Sequence, residues 1–207
     1  MTPSNTIYIV DDDHAVRDSL RWLIESENRR CRCYGSATEF LDDFRHGGPS
    51  CLVLDVRLPD MNGLQVQDRL TRDHQDIPII IITGHGDVAM AIRAFKRGAH
   101  HFFEKPFSDD ALLESIEEAL KIDGMHQRAR TEQERAMKLV GTLTRREREV
   151  MNHVVAGEPN HEVARKLDIC TKTVETHRAS VMRKMKALTF ADLVRMGTSL
   201  NAPVHQP

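Results

Sequence analysis

Residues 51–63 read CLVLDVRLPDMNG, and this stretch decides the fold. From Cys51 to Val56 only Asp55 is polar, and the absence of alternation marks a strand covered on both faces. The run then stops in a loop carrying Pro59 and Gly63. Working outward, IYIV (7–10) and IPIIIIT (77–83) repeat the pattern, a weaker strand falls near Cys31–Tyr34, and another near His101–Glu104. Between these strands the apolar residues recur at helical spacing. Such stretches are His14–Glu27, with Val16, Leu20, Leu23 and Ile24 in phase, about Thr38 to Phe44, Leu64–Arg72, Val88–Arg97 closed by Gly98, and about Asp109 to Ile122. Strands alternating with helices predict an α/β, doubly wound, parallel five-stranded domain whose ligands sit at the carboxyl ends of the strands.

Those strand ends suggest what the domain binds. The first strand runs into Asp11, Asp12 and Asp13, the third reaches Asp55, the fourth ends at Thr83–Gly84 and the fifth at Lys105–Pro106. In a doubly wound sheet these ends share one edge, so carboxylates, a hydroxyl and an ammonium could converge there. Carboxylates brought together repel unless a cation intervenes, and a hard divalent ion such as Mg²⁺ takes oxygen ligands of this kind. Mg²⁺ commonly combines one or two carboxylates with phosphate oxygens, which points to phosphoryl chemistry with a carboxylate as nucleophile. Thr83 and Lys105 would hold the oxygens of the arriving group. Taken singly, each residue has a plainer reading: an Asp at a strand end forms turns and caps helices, and Lys105 is a solvated loop lysine.

The remainder of the chain is of another kind. A net charge of −2 conceals 14 Lys+Arg against 21 Asp+Glu in residues 1–122, 4 against 3 in residues 123–141, and 11 against 7 in residues 142–207. An acidic front and a basic back suggest two units with different partners, the basic one a polyanion binder. Hydrophobic content of 40% and charged content of 29% exclude wholesale disorder. No apolar run approaches the roughly 18–20 residues of a bilayer span. The opening MTPSNTIYIVDDD lacks the basic and apolar regions of a signal peptide. Cys31, Cys33, Cys51 and Cys170 are too few and too scattered for a disulfide scaffold and suit reduced thiols in the cytoplasm. The spacing of Cys31 and Cys33 is unlike that of paired-thiol metal ligands. The divisions expected are a domain over 1–122, a partly helical linker over 123–141, and a small all-α helix-turn-helix domain over 142–207.

Four helices are predicted in the last of these. Thr144 with Glu147 forms a capping box, Gly157 and Pro159 break the chain, and Asn160 caps a second helix through Leu167. Thr171 caps a third over about Lys172–Met185, and Phe190–Thr198 forms a fourth. At about 100° per residue, Val174, Val181 and Met185 share one face of the third helix and Glu175, Thr176, Ala179 and Arg183 another. The first set would pack; the second would face the major groove of DNA. Lys172, Arg178, Arg183, Lys184 and Lys186 form a positive strip suited to phosphates. Glu175 can accept from a cytosine amino group while Ala179 offers only a methyl, so base readout falls to Glu175, Thr176 and Arg178. His177 reads as a half-buried packing residue with a base contact as the alternative. Asn160 reads as a cap whose helix N-terminus could hold a phosphate.

IVDDD at the first strand, LDVRLPDMNG around Asp55, ITGHGDV at Thr83 and FFEKPF around Lys105 resemble, in order and spacing over about residues 6–121, the receiver domain of bacterial response regulators. The resemblance implies that Asp55 is phosphorylated by a sensor histidine kinase. It implies that Asp11 and Asp12 are the acidic pair, and that Asp12, Asp55 and the main-chain carbonyl of Arg57 ligate Mg²⁺ or Mn²⁺. It makes Asp13 a flanking residue, Thr83 the switch hydroxyl, Phe102 the switch aromatic and the bond before Pro106 cis; plain core packing is the alternative for Phe102. The stretch 143–187, with LTRRE, Gly157, Asn160 and TVETHR, is similar to the DNA-binding domain of the LuxR-type, NarL/FixJ group, and TGHGDV points to its FixJ-like branch. Candidate DNA contacts are Asn160, Lys172, Thr173, Glu175, Thr176, His177, Arg178, Arg183 and Lys184.

The resemblance as a whole implies a two-component response regulator whose phosphorylation controls homodimerisation and sequence-specific binding to double-stranded DNA. In related regulators the surface of the fourth helix, fifth strand and fifth helix commonly becomes the dimer face. RNA polymerase is a further partner, no membrane is involved, and no turnover catalysis is expected beyond the receiver's own Mg-dependent phosphorylation and dephosphorylation. Two rivals remain. An aspartate-nucleophile phosphatase places a second acid two residues after its nucleophile, where this chain has Arg57. An interaction protein would use the helical domain to bind protein instead of DNA.

Overall fold

A computed structural model describes residues 5–201; residues 1–4 and 202–207, the outer ends of the two expected domains, lie outside the described residues. The chain divides into two compact units, one up to Gln127 and one from Arg128 onward. In the first, β1 (Thr6–Val10), β2 (Arg30–Tyr34), β3 (Ser50–Asp55), β4 (Ile79–Thr83) and β5 (His101–Glu104) alternate with α1 (His14–Ser26), α2 (Ala37–Asp43), α3 (Gly63–Arg72), α4 (Val88–Lys96) and the start of α5 (Asp109–Val140), whose residues from Arg128 onward belong to the second unit. The strands form one parallel sheet in the order β2-β1-β3-β4-β5. The order reverses between β1 and β3, and the crevice at the carboxyl ends of these two strands is where such a sheet binds ligands.

Alternate residues of each strand feed opposite faces. Tyr8, Val10, Leu52, Leu54, Ile79 and Ile81 pack with Phe40 of α2, Leu64, Val66 and Leu70 of α3 and Ala94 of α4. Ile7, Ile9, Cys51, Val53, Ile80 and Ile82 pack with Leu20 and Ile24 of α1 and Leu112, Ile116 and Leu120 of α5. Each isoleucine of β4 is buried, worth about 1.5–3 kcal/mol apiece, which is why that strand carries no polar residue before Thr83.

α5 continues unbroken through the stretch read as a linker. The carboxylate of Asp123, wholly buried, accepts from the Ser50 amide (2.7 Å), the Gln127 amide group (2.8 Å) and His46 Nε2 (3.1 Å). Gln127 also donates to the Gly48 carbonyl (2.7 Å). The first five residues of that stretch are thereby tied to the start of β3.

The second unit contains α6 (Arg145–Val155), α7 (Asn160–Leu167), α8 (Thr171–Lys184) and α9 (Phe190–Asn201). Thr144 and Glu147 make the expected capping box. Its core is built from Val150, Met151 and Val154 of α6, Val163 of α7, Val174 and Val181 of α8, Met185 just beyond α8, and Leu193 of α9. Two caps differ from expectation. Pro159 and Cys170 occupy the N-cap positions of α7 and α8 with no side-chain cap hydrogen bond, while Asn160 and Thr171 are already helical. The Asn160 side-chain oxygen is instead taken by Arg178.

Candidate functional site

At the carboxyl edge of the sheet, one ligand oxygen from each of Asp11, Asp12 and Asp55 lies within 4.8 Å of the others. Asp11 and Asp55 are buried, Asp12 is exposed, and the trio is open to solvent on that side. Lys105 Nζ donates to Asp11 Oδ2 (2.6 Å) and Asp55 Oδ2 (3.0 Å). The Lys105–Pro106 bond is cis. Burial pulls the Lys105 ammonium down, but the hydrogen bonds to the two carboxylates outweigh it and hold the group above the usual lysine range. Burial pushes the Asp11 carboxyl above the usual range, against the pull of Lys105 and of the Asp13 amide. Three carboxylates face one ammonium. The site as built therefore has room for the charge of one divalent cation, in an all-oxygen donor set that a hard ion prefers.

The amide of Arg57 donates to Asp55 Oδ1 (3.2 Å), which puts this residue on the rim of the pocket. Thr83 is fully buried, and its Oγ1 accepts from the His85 amide (3.3 Å). The Phe102 ring is half-buried against the core and lies close to Gly86, where a Cβ would come within 3.1 Å of it. Asp13 caps α1 by accepting from Ala15 (2.8 Å), outside the ligand set.

Two residues that sequence reasoning passed over complete the pocket. Arg17 on the first turn of α1 donates to the main-chain carbonyl of Asp11 (2.6 Å) and so holds the loop that carries the acidic pair. Gly63 opens α3 so close to β3 that a Cβ there would lie 2.4 Å from the Asp55 carbonyl oxygen. Gly63 is visible in the sequence only as a turn former, and Arg17 leaves no signal, since its partner is a backbone atom.

On α8 the residues divide by exposure. Lys172, Glu175, Thr176, Ala179 and Arg183 are exposed, whereas Val174 and Val181 are buried, as the helical periodicity predicts. Lys172 pairs loosely with Glu175 (3.2 Å) at the surface, a contact worth little in water. Thr173 Oγ1 is bonded to the Cys170 thiol (3.0 Å), and His177 is half-buried. Arg178 and Lys184 are engaged within the unit. Arg178 Nη1 donates to Asn160 Oδ1 (2.6 Å). Lys184 Nζ donates to Glu147 Oε2 (2.6 Å), and Ser180 Oγ to Glu147 Oε1 (2.6 Å).

A sheet of this order with carboxylates and a lysine at its switch-point edge, followed by a helix-turn-helix unit with one cationic exposed helix, defines a signal-receiving domain joined to a nucleic-acid-binding output. Comparison with known families places the chain there. Residues 7–117 match the response regulator receiver domain, and residues 141–197 match the bacterial regulatory proteins of the luxR family. The chain belongs to the response regulators that join these two domains, and it is a transcriptional regulator of the FixJ-like kind, not a classical enzyme. It is 43% identical over 192 residues to the response regulator protein TmoT of Ectopseudomonas mendocina, covering 93% of this chain and 87% of that one. It is also 43% identical to the transcriptional regulatory protein FixJ of Rhizobium meliloti, covering 92% and 94%. The solved structure of the response regulator StyR superposes with a TM-score of 0.82 at 38% identity, covering 94% of this chain and 98% of that one. No helix among the described residues is long and apolar enough to cross a membrane.

Proposed function

We propose that Asp55 accepts a phosphoryl group from a sensor histidine kinase and that this modification controls homodimerisation and sequence-specific DNA binding. The observation that carries the reading is the convergence of Asp11, Asp12 and Asp55 with Lys105 bridging two of them. Asp11, Asp12, Asp55 and the main-chain carbonyl of Arg57 would hold Mg²⁺ or Mn²⁺. When bound, that cation supplies positive charge to the oxygens of the arriving phosphoryl group. A carboxylate oxygen of Asp55 forms the new O–P bond as the P–N bond to the donor imidazole breaks. Lys105 already reaches Asp55 and can follow the negative charge onto the phosphoryl oxygens.

Thr83, at the end of the neighbouring strand, can turn its hydroxyl to donate to a phosphoryl oxygen, and Phe102 beside it can fill the space vacated. Such an element has two arrangements, and the phosphoryl contact biases their balance. The exposed apolar side chains of α4, Val88, Ile92 and Phe95, recur at helical spacing and support a dimer face there. In this reading the exposed face of α8 enters the major groove, with Asn160, Lys172, Thr173, Glu175, Thr176, His177, Arg178, Arg183 and Lys184 as the candidate set at or behind the contact. The chain works in the cytoplasm, beside the kinase, the DNA and RNA polymerase.

The test is labelling with acetyl phosphate and Mg²⁺. The wild-type chain acquires one acid-stable, base-labile phosphoryl group; Asp55→Asn and the wild type with excess EDTA acquire none. Full labelling of Asp55→Asn would remove Asp55 from the role.

A further inference from the structure

Among the cationic residues of α8, Arg178 is engaged inside its own domain by two separate partners. At about 100° per residue it lies roughly 40° from buried Val174 and roughly 60° from exposed Glu175, on the flank of the packed face. It is half-buried, and two separate groups hold its guanidinium. One edge donates to Asn160 Oδ1 at 2.6 Å, a charge-assisted hydrogen bond to the first turn of α7. Its plane sits over the ring of Phe190 at 5.5 Å from the centroid, at the start of α9. Arg178 therefore ties α8 to the ends of both neighbouring helices. Turning it toward DNA would break both contacts at once.

We infer that Arg178 is a positioning residue for DNA recognition: it sets the recognition helix against α7 and α9 through Asn160 and Phe190, and it touches neither base nor phosphate. The inference rests on the reading that α8 is the DNA-contacting helix, and it narrows the reading surface to Lys172, Glu175, Thr176, Ala179 and Arg183. Asn160 gains a matching role. Its side chain fixes α8 and does not cap α7. Lys184 and Ser180, held by Glu147, secure the other half of α8 to α6.

The experiment uses the full chain treated with acetyl phosphate and Mg²⁺. It measures affinity for a duplex selected from a random-sequence pool by the wild-type chain, and for a scrambled duplex, as a function of salt. Arg178→Met weakens the selected duplex about tenfold or more. It leaves the scrambled-duplex affinity and the salt slope at wild-type values, because no phosphate contact is lost. Asn160→Ala, which removes no charge, reproduces that loss, and the double variant is no weaker than either single one. Lys172→Met, by contrast, lowers the slope by about 0.9. The inference is overturned if Arg178→Met lowers the salt slope by that amount, if it relaxes preference at a single base pair additively with Asn160→Ala, or if it has no effect. Absence of salt-sensitive binding to any duplex by the wild-type chain overturns the DNA-binding reading itself, and the inference with it.

Discussion

Gly63 shows how strictly the pocket depends on single atoms. The helix that follows the β3 loop starts directly over the Asp55 carbonyl, and its amide donates to the Val56 carbonyl (2.8 Å). A methyl at position 63 would lie 2.4 Å from the Asp55 carbonyl oxygen and 3.0 Å from the Val56 Cα. Both obstacles are backbone and cannot rotate away. Gly63→Ala is therefore expected to destabilise the first unit by about 1–3 kcal/mol, the usual cost of overpacking. Urea unfolding measures that cost, and labelling with acetyl phosphate should slow in the same variant because the end of β3 that carries Asp55 has to move. Unchanged unfolding and labelling would show that the loop yields freely. Arg17 belongs to the same scale: one guanidinium on a backbone carbonyl steadies two acidic residues that repel each other.

At the level of elements, the setting of α8 depends on a buried carboxylate. Glu147 accepts from Lys184 and Ser180 while also closing the capping box of α6. The Lys184 ammonium, with help from the Ser180 hydroxyl and the Thr144 amide, holds its carboxyl down at about 2, from an ordinary 4.5. A folded-state value below the unfolded one means the ionised group stabilises the fold above about pH 4.5. That contribution disappears as pH falls toward about 2. Thermal unfolding of the second unit should therefore become easier across this window. Glu147→Gln should start less stable at pH 7 and show a flatter profile between pH 4.5 and 2. Parallel profiles for the two proteins would mean that other carboxylates carry the acid sensitivity. α5 makes a related point: its polar middle reads as a partly helical linker, and Asp123 and Gln127 anchor its start to the Ser50 amide at the head of β3 and to the Gly48 carbonyl just before it.

For the whole molecule, the consequence of phosphorylation is expected in its association state. Val88, Ile92 and Phe95 expose 77%, 49% and 50% of their surface on α4, an apolar stripe that the proposed dimer would cover. Mass measured by light scattering should rise toward a dimer on treatment with acetyl phosphate and Mg²⁺. In Ile92→Glu it should stay monomeric, although that variant is labelled at Asp55 as readily as wild type. A dimer of undiminished affinity in Ile92→Glu would place the association face elsewhere. The acidic first part and basic second part of the chain fit the proposed division of labour, one surface for a cation and phosphoryl group, the other for a polyanion.

Much of this was legible before folding. Uninterrupted Val/Ile/Leu runs identify strands covered on two sides, and strand ends in a parallel sheet share an edge, so Asp11, Asp12, Asp55, Thr83 and Lys105 could be grouped from local pattern alone. Helical periodicity likewise separated Val174 and Val181 from Glu175, Thr176, Ala179 and Arg183. Tertiary structure decided which charges are free. Arg178 and Lys184 look the same as Lys172 and Arg183 along the chain, and only packing shows that the first two are bound to Asn160 and Glu147. The same holds for Arg17 on the Asp11 carbonyl, Gly63 beneath Asp55 and Asp123 on the Ser50 amide. Periodicity is a property of neighbouring residues and can be read in one dimension. Hydrogen bonds and close approaches join residues up to 94 positions apart, as between Asp11 and Lys105, and exist only once the chain has brought them together.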